Sequence, residues 1–243
     1  MSALALYGVG RSVDAPALPG QLRGAQNEAL RPLAFGPLLL IAGEVESPPA
    51  LDEAALRAHD AAVRALHAVL PAFLPARFGS AAESEQALSR AFEPLAGLLD
   101  EALLLVRGRE QMTLRLFGQP QDAPASDALA QTAPDGAAGP GARYLTRLAH
   151  AQARSREVPE LAVLRPFLRE FVRAEHAERA TGAAPAAESL LASVFHLIDR
   201  GSAGAYAQAL EAGIAAGRAS LGGLRVSLSG PWPAWSFAPE ALP

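Results

Sequence analysis

Leu228-Ser229-Gly230-Pro231-Trp232-Pro233-Ala234-Trp235-Ser236-Phe237 carries both tryptophans of the chain. Its two prolines favour an extended backbone that gives up little entropy on ordering. Two indoles and a phenyl ring in one such segment predict that Trp232, Trp235 and Phe237 fold back into a groove between domains, where large aromatic areas are buried and indole N–H groups find acceptors. The competing reading leaves part of this surface as a hydrophobic anchor for a partner protein. The first is preferred because a large exposed apolar patch is costly in a monomer.

Working back from this tail, Leu224 to Leu228 alternates as a strand, Ala203 to Ala216 carries Tyr206, Leu210 and Ile214 at helical spacing, and Ser189 to Ile198 reads as a buried strand. Leu161, Leu164, Leu168, Phe171 and Val172 suggest a further helix, starting at Val158-Pro159-Glu160 and kinked at Pro166. Tyr144, Leu145 and Leu148 begin another. Gln119 to Gly141, dense in Pro, Ala, Asp and Gly without apolar periodicity, reads as a linker or long loop. Before it, Ala3 to Val9, Leu38 to Val45 and Met112 to Phe117 read as strands. Leu56, His59, Val63, Leu66 and Leu70 mark an amphipathic helix, supported by the i,i+4 pairs Glu53 with Arg57 and Asp60 with Arg64. A second helix through Leu88, Phe92, Leu95, Leu99 and Leu103 should be kinked or split at Pro94.

The expected fold is therefore α+β in two domains. An N-terminal α/β domain of ferredoxin-like type occupies residues 1–118, a linker 119–141, and a helix-rich C-terminal α+β domain 142–243, closed by the aromatic tail 230–243.

All 21 basic residues are arginine, and there is no cysteine. That removes Schiff-base chemistry, a phosphate-loop lysine, thiol nucleophiles, disulfides and cysteine-ligated metals. The net charge of −4 is dispersed, and no arginine cluster interleaves with aromatics, so no nucleic-acid partner is expected. Met1 to Leu6 lacks a positive leader, and the longest apolar stretch, Leu33 to Gly43, is broken by Gly36-Pro37. A soluble cytoplasmic protein that does not enter a lipid membrane is expected.

His59, His67, His150, His176 and His196 show no metal-ligand spacing and read as helix-surface or boundary residues, so no metal and no cofactor are expected. His176-Ala177-Glu178 lacks the cysteine pair of a zinc deaminase. Tyr7-Gly8-Val9-Gly10 lacks the third glycine of a dinucleotide site, leaving Gly8 as a strand end. Glu110 and Arg115, five apart on a strand, face opposite sides, so each needs its own partner or one faces a binding surface. Arg77 is read as bridging strand and loop, with Phe78 in the core and Gly79 in a turn.

Six motifs, in order along the chain, resemble the gas vesicle protein L/F family: Leu6 to Val9, Leu74 to Ser80, Gly108 to Arg115, Gly139 to Leu145, His196 to Arg200, and the tail. The resemblance implies a non-enzymatic accessory or minor structural protein of gas vesicles. It implies binding to the hydrophobic shell protein and to other accessory proteins in nucleation or assembly, with self-association left open. Capping of the shell subunit by strand addition at an edge of the first domain is one physical route. Arg77, Phe78, Glu110, Arg115, Trp232, Trp235 and Phe237 are the candidate interaction or domain-locking residues. Gln111 stands where the family usually has an aromatic residue, Arg115 where lysine is common, and Trp235 where tyrosine is usual. Two rival classes remain: a ligand-binding module with an inter-domain pocket, and a small hydrolase or transferase working without Cys or Lys.

Overall fold

The computed structural model describes residues 3–14, 22–118, 158–180, 189–240 and 242. Packing divides the chain into two units, Met1–Gln111 with Pro231–Pro243, and Met112–Gly230. The expected division at 118, with the tail in the second domain, is corrected on both counts. One boundary falls inside a continuous strand, where composition does not change, and the tail packs with the first unit. The predicted linker 119–141 and the helix at Tyr144 lie outside the described residues.

The first unit runs β1 (Ala3–Arg11), a 3-10 turn, β2 (Leu30–Phe35), β3 (Leu38–Val45), α1 (Glu53–Val69), β4 (Phe73–Pro75), β5 (Ala81–Ala82), α2 (Glu85–Phe92), a 3-10 turn and α3 (Ala96–Val106). Its sheet has the order β2-β3-β1-β4, with β5 also on β1. Ala5, Tyr7, Leu39 and Ile41 form one core with Ala62, Val63, Leu66 and Leu70 of α1 and its C-terminal end. Leu6, Val9, Leu40 and Ala42, at alternating positions, are also buried, and α3 contacts β1, β3 and β4. Burying each such leucine contributes about 1.5–3 kcal/mol.

Local signals explain the breaks. The Asp52 carboxylate accepts from the Ala55 N–H at 2.8 Å and caps α1. Pro94 sits in the 3-10 turn Glu93–Leu95 that divides α2 from α3, as expected from its missing N–H. Gly8 does not end its strand, because β1 continues through it to Arg11 with a register shift against β3 between Leu6 and Gly8. A Cβ there would lie 2.4 Å from the Phe73 ring, so close approach requires glycine. The strand β2 was not anticipated, since Arg31 and Pro32 weaken its pattern; proline is tolerated because β2 is an edge strand.

The second unit contains most of β6 (Arg109–Phe117), a 3-10 turn Pro159–Leu161, α4 (Arg165–Leu168), β7 (Val172–Arg179), β8 (Leu190–Asp199), α5 (Ala203–Gly217) and most of β9 (Arg225–Trp232). The sheet order is β7-β8-β6-β9, and β7 pairs with β8 antiparallel. Strand, helical segment, strand, strand, helix, strand in this order is the ferredoxin-like pattern. It belongs to the second unit, and the expectation that placed it in the first is corrected: there a hairpin precedes the first helix. The helix-rich expectation rests in part on residues 142–157, which lie outside the described residues. Leu161, Leu164 and Leu168 are buried at helical spacing, but the only α-helix there among the described residues is the four-residue α4 with Pro166 in its first turn, and Val172 opens a strand with alternating burial.

Candidate functional site

In the first unit, α1 presents His59 to a cluster of rings. His59 is only 6% exposed, which corrects its reading as a surface or boundary residue. It stacks on Tyr7 at 5.0 Å between centroids, meets Phe78 edge-on at 5.4 Å and lies 6.5 Å from Trp235. Its Nε2 is 3.3 Å from the Ala76 carbonyl oxygen, and because a carbonyl only accepts, Nε2 carries the hydrogen. Burial pushes this imidazole below the usual histidine range, opposed by the Ala76 contact and the charges of Asp60 and Glu28.

The tail is fixed to the same surface through several contacts. The Arg64 guanidinium lies 4.2 Å from the Trp232 ring centroid, a cation–π contact, while its Nε donates to Asp60 at 2.6 Å. The Ser236 N–H donates to the Gln111 side-chain oxygen at 2.9 Å. Gln111 is therefore buried and holds the tail, rather than lying on an outer strand face. Beneath the rings, the Tyr7 hydroxyl accepts from the Ala25 N–H at 2.6 Å and donates to Glu28, whose other oxygen accepts from Gln26 N–H at 2.8 Å. A Cβ on Gly24 would lie 2.3 Å from that hydroxyl, so only glycine allows this turn.

Of the predicted site residues, Phe78 and Trp235 meet at His59, and Trp232 joins the same helix through Arg64. Phe78 is half-buried rather than in the core. Phe237 is half-buried in the 3-10 turn Trp235–Phe237. Arg77 is exposed, and its carbonyl accepts from Ser80 N–H at 3.1 Å around Gly79, whose φ is +86°. Glu110 is half-buried and Arg115 exposed; among the described residues, neither joins the ring cluster.

The second unit holds a polar network that sequence reasoning missed. His196, 1% exposed, has Nδ1 2.7 Å from the Tyr206 hydroxyl and Nε2 3.1 Å from Glu175 Oε2. Arg165 donates to both Glu175 oxygens, at 3.1 and 2.9 Å, a bidentate pair. The hydrogen bond from His196 and the positive charge of Arg165 hold the Glu175 carboxyl below its usual range, against its partial burial. Burial pushes the Tyr206 hydroxyl up. Arg165, Glu175 and His196, with Arg169, Leu168 and Val172, line a cavity of about 360 Å³. Tyr206 is fully buried and cannot meet a substrate as a nucleophile. The only advance signal was the alternation of β7, which places Glu175 beside His196 in register.

A third feature is exposure. On α3, Leu98, Leu104 and Leu105 are 49%, 51% and 38% exposed, while Leu99, Leu103 and Val106 are buried. Leu98 and Leu105 are two turns apart on one side of the helix. Among the described residues, no group of three or more His, Asp or Glu could hold a metal ion, and no helix is long and apolar enough to cross a membrane.

This mixed α+β fold with two antiparallel sheets matches solved gas vesicle proteins. GvpF from Anabaena sp. PCC7120 superposes with a TM-score of 0.66 at 18% identity, covering 98% of this chain and 97% of that one. GvpF from Microcystis aeruginosa gives 0.65 at 17% identity, covering 98% and 99%. Comparison with curated protein sequences gives no match. The sequence from residue 3 to 239 matches the family described as gas vesicle synthesis protein GvpL/GvpF. The chain belongs to that family, and its role is accordingly tied to gas vesicles.

Proposed function

We propose that this protein acts in the cytoplasm during gas vesicle nucleation and assembly, holding the hydrophobic shell protein and other accessory proteins before they are incorporated. The observation that carries this reading is the exposed leucine face of α3 in a chain of the gas vesicle family. Three leucines kept in water on a helix whose other face is packed are costly to leave uncovered, and they suit a partner that is itself apolar.

Strand addition has less support at the edge strand β2. Pro32 removes a backbone donor there, and Arg31 is tied to Glu44 at 2.9 Å and Glu85 at 2.8 Å; both are devices that blunt an edge. The tail serves a different purpose in this proposal. Trp232, Trp235 and Phe237 anchor the chain end on the first unit, and Arg77, Glu110 and Arg115 contribute at most peripheral polar contacts to partners. Amide hydrogen exchange tests the assignment. Adding the shell protein should slow exchange in Ala96 to Val106 more than in Leu30 to Phe35. The reading is overturned if neither segment gains protection.

A further inference from the structure

We propose that the cavity in the second unit binds a monocarboxylate carried on a short apolar stem, either a free small acid or the C-terminal residue of a protein chain. This goes beyond the gas vesicle role and does not depend on it. The volume of about 360 Å³ lies at the small end of ligand sites. Leu168 and Val172 give it an apolar wall, and Arg165, Arg169, Glu175 and His196 a polar end.

The polar end is built rather than incidental. Tyr206 fixes His196, His196 and Arg165 fix Glu175, and each contact is 3.1 Å or shorter. Such a chain keeps the side chains in place before a ligand arrives, which lowers the ordering cost of binding. The charge on Glu175 is offset by Arg165, its bidentate partner. Arg169 makes no ion pair among the described residues, so one positive charge at the rim is left over. One surplus guanidinium fits one carboxylate. A cation would face two arginines, and a dianion would face Glu175 with only one surplus charge to meet it.

The test is a heteronuclear NMR titration of the full chain with hexanoate, acetyl-leucine and acetyl-leucinamide. Hexanoate and acetyl-leucine should produce saturable shifts at the His196 ring and at the Leu168 and Val172 methyls. Acetyl-leucinamide should bind about tenfold more weakly or worse, since the charged hydrogen bond is lost. Arg169→Gln, an exposed position, should weaken hexanoate about tenfold while leaving the remaining spectrum in place. Val172→Trp should block both acids by filling the cavity. Tighter binding of acetyl-leucine than of hexanoate supports the site with a chain terminus as its source, and the reverse supports it with a free acid. Equal binding of amide and acid, indifference to Arg169→Gln, or no saturable shift in the millimolar range overturns the proposal.

Discussion

His59 in the first unit and His196 in the second are both almost fully buried, yet their surroundings differ in kind. His59 is enclosed by Tyr7, Phe78 and Trp235 and has one carbonyl contact near 3.3 Å. His196 lies between a carboxylate and a hydroxyl at the wall of a cavity. In the first setting the imidazole behaves as a flat apolar plate that joins a helix to the tail. In the second it is a polar strut whose neighbours depend on it. The same residue type therefore marks a packing core in one unit and an organised recess in the other.

The sharpest way to break this contrast is to delete each ring. His196→Ala leaves Glu175 and Tyr206 without a shared partner, and should destabilise the protein by about 3 kcal/mol in urea unfolding. Trp235→Ala removes a half-buried indole from the tail contact and should cost about 2 kcal/mol in the same assay. Gln111→Ala removes the acceptor for the Ser236 N–H, with an expected loss of about 1 kcal/mol. A value near zero for Gln111→Ala would mean that the tail is held by its rings alone.

Acid titration separates the two units with a gentler perturbation. The folded-state pKa of His59 lies below the usual value of about 6.5, so as pH falls through that value the unfolded chain takes up the proton first and stability declines. Glu175 is also depressed, but its contribution is present above about pH 4.3 and is lost below it as pH falls through the folded value. Unfolding free energy measured against pH should show these two separate windows. His59→Phe should flatten the upper one, and Glu175→Gln the lower. The smallest effect should come from Arg57→Ala, whose exposed pair with Glu53 is worth about 0.3–0.5 kcal/mol.

Much of the chain was legible where one periodicity dominates. α1, β1, β3, β8 and α5 follow apolar spacing closely, and the split at Pro94 follows from a missing backbone donor. β2 was hidden because Pro32 and Arg31 are acceptable only at an edge, and edge position is a property of the whole sheet. Val172 was drawn into a helix because Leu161, Leu164 and Leu168 precede it at helical spacing, and only tertiary pairing with Ile198 makes it a strand. The tail's place on the first unit could not be read from the sequence, because Gln111 and His59 are distant in sequence from it. His59 already stood on the apolar stripe of its helix, so its burial was readable from spacing. His196 and Glu175 were not, since their meeting depends on register across two strands.

The most direct measurement is co-expression of the full chain with the small gas vesicle shell protein, followed by pull-down and assay of the soluble fraction. Intact protein is compared with Leu98→Glu/Leu105→Glu. Both leucines are exposed, so the variant should keep its melting temperature. The account predicts that the intact chain retains the shell protein in solution and that the variant releases it. Capture that is undiminished in the variant, or no capture by folded intact protein, would contradict it.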